Sequence, residues 1–126
     1  MRDPPLVLVV DDAEHIRTLC QHVLLSHQIL TIEAANGHEA IEQYRLYQPD
    51  AVILDISMPG GDGLAALREI KRLDASARVL MLTARAQRAT VLEALRYGAK
   101  DFVVKPFERR RLLEGIERLL GRGQQG

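Results

Sequence analysis

Apolar and polar residues fall into alternating blocks along this chain. Five short apolar runs stand out, at 6–10 (LVLVV), 29–33 (ILTIE), 51–54 (AVIL), 78–82 (RVLML) and 101–104 (DFVV). Three are nearly continuous in Val, Ile and Leu, the composition of strands buried on both faces of a parallel sheet. Run 29–33 is weaker and more polar, which suits an edge strand. The segments between them carry helical spacing. Ile16, Leu19, Cys20, Val23 and Leu24 form one stripe, and Ala40, Ile41, Tyr44 and Tyr47 a second. Leu64, Leu67 and Ile70 form a third, Val91, Leu92 and Leu95 a fourth, and Leu112, Leu113, Ile116, Leu119 and Leu120 a fifth. Asn36 with Glu39 three residues on reads as a capping box. Gly98 and Gly121 stand where helices would stop.

Strand therefore alternates with helix over the whole length. Helix-sized crossovers make successive strands parallel, with right-handed connections. The pattern predicts a single doubly wound α/β domain, a five-stranded parallel sheet with helices on both faces. Residues 1–121 make the domain, and 122–126, within the Gly- and Gln-rich end GRGQQG, read as a flexible tail or the start of a linker.

Composition narrows the function classes. Seventeen basic residues balance seventeen acidic ones, so no basic excess invites direct nucleic-acid binding. No apolar run approaches the roughly 20 residues of a membrane span, and 1–5 has no secretory apolar stretch. A single cysteine, Cys20, cannot form an internal disulfide, which points to a reducing compartment and a cytoplasmic location. Cys20 lies on an apolar stripe and reads as an inert core residue. The four histidines, His15, His22, His27 and His38, lack the paired spacing of a zinc helix. Arg109, Arg110 and Arg111 form a basic run at the start of the last helix, read as a solvated face with a contact role as the alternative.

The chemistry collects at strand ends. Asp11 and Asp12 follow the first strand, Asp55 the third, Thr83 the fourth and Lys105 the fifth. In a parallel sheet all of these share the carboxyl edge, where open α/β sheets place their ligands. Singly, an Asp after a strand is an ordinary helix cap, Thr83 a helix-start hydroxyl and Lys105 a surface lysine. Together, three carboxylates crowded on one rim call for a shared proton or a cation. Hard oxygen donors suit Mg2+. A lysine and a hydroxyl beside them match phosphoryl transfer, with one carboxylate as nucleophile.

With those residues placed, the chain resembles the receiver domain of bacterial response regulators from about 6 to 120. The matching pieces are VVDDAEHIR, NGHEAIE, PDAVILDISMPGGDGL, VLMLTA and GAKDFVVKPF. The resemblance implies the flavodoxin-like strand order 2-1-3-4-5. It implies Asp55 as phosphoacceptor, and Asp11, Asp12 and Asp55 with the Ser57 backbone carbonyl as ligands of Mg2+ (or Mn2+). It implies phosphoryl contacts from Thr83 and Lys105, Phe102 as a switch aromatic responding to Thr83, and a cis bond before Pro106. The implied donor is a sensor histidine kinase or a phosphotransfer protein. The implied output is a changed face of fourth helix, fifth strand and fifth helix, read by a partner protein or an attached effector domain, with a phosphorylation-dependent homodimer as a further expectation. The domain would catalyse only its own phosphorylation and dephosphorylation.

The chain departs from the family in places. Gly61 stands where many relatives have methionine, which loosens the Met58-Pro59-Gly60-Gly61 loop. Phe102 lacks the hydroxyl of a tyrosine. Ser57 and Arg85 occupy two positions that tune phosphoryl lifetime in the family. Ala84 is small and leaves a phosphate room to approach. Two other classes fit the residues less well. A dehalogenase-type phosphatase needs a second Asp two residues after the nucleophile, where Ser57 stands. A flavodoxin-type carrier needs a phosphate loop where Asp11 and Asp12 would repel the flavin phosphate. A further alternative is a receiver cut from a longer DNA-binding regulator.

Overall fold

The computed structural model describes residues 2–84 and 88–122; Arg85 and 123–126 lie outside the described residues. The elements run β1 (Leu6–Val10), α1 (Glu14–Leu25), β2 (Leu30–Ala34), α2 (Gly37–Tyr47), β3 (Ala51–Asp55), a single 3-10 turn (Pro59–Gly61), α3 (Asp62–Leu73), β4 (Val79–Thr83), α4 (Arg88–Arg96), β5 (Asp101–Val104) and α5 (Arg109–Leu120). All strand pairs are parallel and the order is β2-β1-β3-β4-β5. The strand order is the one the resemblance implies. β2 and β4 each begin one residue later than their apolar runs.

Alternation within the central strands sends side chains to two separate cores. Val7, Val9, Ile53, Leu80 and Leu82 pack under α1 and α5, with Cys20, Leu24, Leu112 and Ile116. Leu8, Val10, Val52, Leu54, Val79 and Met81 pack under α2, α3 and α4, with Ala40, Leu67, Ile70, Val91 and Ala94. β3 and β4 are buried throughout, as strands covered on both faces must be. β2 carries exposed and half-buried residues and forms the edge.

Two stripes differ from expectation. In α4 the inward residues are Val91 and Ala94, while Leu92 and Leu95 are 50% and 38% exposed. In α2, Tyr47 is exposed and Tyr44 is buried, its hydroxyl donating to Asp74 at 2.7 Å across to the end of α3. Local signals work where they were read: Asn36 accepts the Glu39 N–H at 2.8 Å, and the Glu39 carboxylate reaches the Ala35 N–H at 2.8 Å. Gly98 and Gly121 follow α4 and α5 with φ of 106° and 76°.

The neutral total conceals a division of charge. Residues 1–74 hold twelve acidic and six basic side chains; residues 75–126 hold five acidic and eleven basic. Because β2, β1 and β3 occupy one side of the sheet and β4 and β5 the other, the division among the described residues, twelve acidic and six basic up to 74 against five acidic and ten basic after it, is also a division in space.

Candidate functional site

The site lies at the carboxyl edge, where β1, β3, β4 and β5 end. Backbone pairing carries each functional residue to that rim. The Asp11 N–H donates to the Ala34 carbonyl at 3.1 Å, extending the β1–β2 ladder by one residue. The Lys105 N–H donates to the Thr83 carbonyl at 2.7 Å and extends β5 beside β4. The Lys105–Pro106 bond is cis, as the sequence implied.

Asp11 is fully buried. Its Oδ1 accepts the Ala13 N–H at 2.9 Å, closing the turn into α1, and its Oδ2 accepts from Lys105 Nζ at 2.9 Å. Asp55 is 2% exposed. Its Oδ1 accepts the Ser57 N–H at 2.8 Å and its Oδ2 lies 3.3 Å from Lys105 Nζ. Asp12 is exposed at the mouth. One carboxylate oxygen from each of Asp11, Asp12 and Asp55 falls within 4.8 Å of the others. Two of the three carboxylates, Asp11 and Asp55, thus share one ammonium.

The charges feel one another. Burial pushes the Asp55 carboxyl above its ordinary range; the Ser57 N–H opposes this, the Asp11 charge adds to it and Lys105 opposes it. For Lys105, burial works against the ammonium, but the hydrogen bond to Asp11 and the charges of Asp55 and Asp11 outweigh it and the pKa rises. Two buried anions bridged by one cation, with a third anion alongside, form a donor set of hard oxygens that fits a divalent ion.

Thr83 is fully buried at the end of β4. The Ser57 side chain reaches across from the β3 end: its Oγ accepts the Ala84 N–H at 2.9 Å and stands 3.5 Å from Thr83 Oγ1. Phe102 is half-buried, packed against the α2–α3–α4 core. The register pairs Thr83 with Val104 and Met81 with Phe102, so Phe102 and Thr83 share one face of the sheet.

Two contributors, Arg17 and Gly63, went unread in the sequence, and a third, Arg111, has a role other than the one read for its run. Arg17 in α1 donates from Nη1 to the Asp11 carbonyl and from Nε to Glu33, both at 2.8 Å, and fixes the β1 end against the edge strand. Gly63 sits where α3 passes the β3 end; a Cβ there would overlap the Asp55 carbonyl oxygen and stand 2.8 Å from the Ile56 Cα. Arg111 is not a solvated member of its run. It donates to Asp101 Oδ1 at 3.0 Å and to the Phe102 carbonyl at 2.9 Å, pinning α5 to β5, while Arg109 and Arg110 are exposed. The only hint of Arg17 and Gly63 was their place inside the motifs VVDDAEHIR and PGGDGL.

Among the described residues, Asp11, Asp12 and Asp55 form the single cluster of potential metal ligands, and the histidines join none. Cys20 is buried and its thiol is pushed up to about 12, chiefly by burial. No helix of the described residues is long and apolar enough to cross a membrane.

A family model described as the response regulator receiver domain matches residues 7–117. The chemotaxis protein CheY of Bacillus subtilis is 44% identical over 115 residues, which cover 90% of this chain and 96% of that protein. The solved receiver domain of NtrX from Brucella abortus is 37% identical with a TM-score of 0.86, covering 91% of this chain and 98% of that one. The regulatory protein AtoC of Escherichia coli is 37% identical over 102 residues, which cover 81% of this chain and 22% of that protein.

Proposed function

This chain belongs to the response regulator receiver family, and on that premise we propose that Asp55 is the residue that takes the phosphoryl group. The observation that carries the reading is the pairing of a buried Asp55 with Lys105 beside a second buried carboxylate, Asp11. A nucleophilic carboxylate so deep in the rim has no structural reason to be charged unless cations meet it there.

In the proposed transfer, an Asp55 carboxylate oxygen attacks phosphorus as the P–N bond of a phosphohistidine breaks. The electron pair leaves on the imidazole nitrogen, and Asp55 becomes an acyl phosphate. Lys105 is the cation that meets the incoming phosphoryl oxygens, and the Thr83 hydroxyl supplies a donor on the β4 side. Asp11, Asp12, Asp55 and the Ser57 carbonyl would hold Mg2+ or Mn2+, which supplies charge neutralisation for the phosphoryl oxygens. Thr83 and Phe102, on one face of the sheet, are the proposed relay to the α4–β5–α5 surface. That surface would then engage an output protein or an attached effector domain, or a second copy of the chain. The donor is a histidine kinase or a phosphotransfer protein. The receiver unit is read as 1–121 with 122–126 leading out, although Arg122 is still clasped to Glu117 and to the His27 carbonyl.

The test is intact mass after incubation with acetyl phosphate and Mg2+. A phosphate-sized gain that needs Mg2+ and disappears in Asp55→Asn is expected. A folded protein that never gains the mass, or gains it equally as Asp55→Asn, overturns the assignment.

A further inference from the structure

We propose that the Ser57 hydroxyl is a latch on the resting state: it occupies the Ala84 N–H that a phosphorylated Asp55 would otherwise engage. This rests on the phosphoacceptor reading above, and it concerns the side chain of Ser57 rather than its carbonyl.

Ser57 belongs to the loop that leaves β3, and Ala84 to the backbone that leaves β4. The hydroxyl is a cross-link between the two ends. It accepts the Ala84 N–H at 2.9 Å. A hydroxyl has one proton of its own to give, and among the described residues it is directed to Thr83 Oγ1, at the long distance of 3.5 Å. The Ser57 N–H meanwhile donates to Asp55 Oδ1 at 2.8 Å. The backbone of Ser57 thus orients the nucleophile while its side chain restrains the strand end opposite.

A phosphoryl group on Asp55 brings new anionic oxygens to the rim. They need donors, and the Ala84 N–H at the β4 end is one. At rest it is already given to Ser57. A charge-assisted bond to phosphate is stronger than a neutral one to a hydroxyl, so phosphorylation draws the amide away. The neutral bond must still be broken, and the equilibrium toward the active arrangement is reduced by that amount. One neutral hydrogen bond corresponds to about fivefold.

The same geometry separates a latch from a mere scaffold. Damage to the site weakens binding of a phosphoryl mimic. Loss of a latch strengthens it. Ser57→Ala removes the oxygen that holds Ala84. Ser57→Thr keeps it and serves as the conservative control.

The experiment compares wild type, Ser57→Ala and Ser57→Thr. Amide exchange at Ala84 is measured by NMR in the resting protein, and beryllofluoride affinity in the presence of Mg2+ by calorimetry. The expected result is several-fold faster Ala84 exchange and about fivefold tighter beryllofluoride binding in Ser57→Ala, with Ser57→Thr near wild type. Unchanged Ala84 exchange, or equal or weaker beryllofluoride binding in Ser57→Ala, overturns the latch. Wild-type mass gain with acetyl phosphate, run alongside, tells the two readings apart. A wild type that takes phosphate with unchanged affinities in Ser57→Ala overturns the latch alone. A wild type that takes neither phosphate nor beryllofluoride overturns the phosphoacceptor reading and the latch with it.

Discussion

Replacing Lys105 with methionine isolates the electrostatics of the rim. The substitution keeps the length and apolar stem of the side chain but removes the ammonium that lies 2.9 Å from Asp11 and 3.3 Å from Asp55. Both carboxylates are buried, so solvent does little to screen them. Removing one partner of a buried ion pair typically costs about 3–5 kcal/mol. A ceiling follows from proton uptake. Once the repulsion exceeds the cost of binding one proton, the pair takes that proton up instead. Between an ordinary Asp value of about 4 and pH 7.5, at about 1.4 kcal/mol per unit, this limits the loss to about 5 kcal/mol. The sign with pH follows from the direction at Asp55, which is already raised. A native state that holds the proton more tightly than the unfolded chain loses stability as pH rises through the folded pKa. Without Lys105 an opposing influence is gone and that loss deepens. Lys105→Met is therefore least stable near pH 7.5 and recovers relative to wild type as pH falls toward about 5.5. Mg2+ should stabilise the variant more than the wild type, because nothing then competes with it for Asp11 and Asp55. Urea unfolding followed by circular dichroism, in chelator and in Mg2+ across that pH range, reads all three effects. A variant within about 1 kcal/mol of wild type in chelator at high pH, or one with the same pH slope as wild type, would refute the account of two ionised carboxylates held by one lysine.

Other outcomes test other parts of the structure. Gly63→Ala places a Cβ against backbone at Asp55 and Ile56; a loss of about 2–4 kcal/mol by urea unfolding is expected, with slower phosphorylation as the β3 end shifts. Arg111→Ala removes the guanidinium bonds to the Asp101 carboxylate and the Phe102 carbonyl and leaves Asp101 only the Phe102 N–H and the more distant Arg118; thermal unfolding should show a loss of about 1–3 kcal/mol. Tyr44→Phe removes the 2.7 Å bond to Asp74 that ties α2 to α3; a loss of about 1 kcal/mol in the same assay is expected. Leu92→Ser changes an exposed side chain and should leave stability within about 0.5 kcal/mol of wild type.

Residues at strand ends were legible before any coordinates because parallel topology alone assigns them to one rim. Asp11, Asp55, Thr83 and Lys105 needed only the five apolar runs and the sense of the crossovers, and the structure brings them together. Helix faces were less legible. In α4 an alanine, Ala94, does the inward packing that the pattern had given to Leu92 and Leu95. A small inward residue and large outward ones defeat a rule that ranks positions by hydrophobicity. Arg17, Gly63 and Arg111 were illegible for a different reason. Their roles are set by neighbours supplied by other elements: Glu33 on β2, the β3 backbone, and the start of β5. Periodicity reports which way a residue faces, not which backbone carbonyl it will find there.

The lopsided placement of charge gives this neutral protein an electrical axis. Among the described residues, twelve acids to six bases on the β2 side, and ten bases to five acids on the β5 side, make it behave as a molecule with two poles although its sequence pI is about 6.9. At low ionic strength such a molecule turns in the field of anything charged that approaches, before contact is made. A positively charged visitor meets the β2 end of the sheet first, and a negatively charged one the β5 end. Near its isoelectric point the protein should be held by both anion and cation exchangers in dilute buffer and released from each by modest salt, as the Debye length shrinks to about 10 Å near 0.1 M.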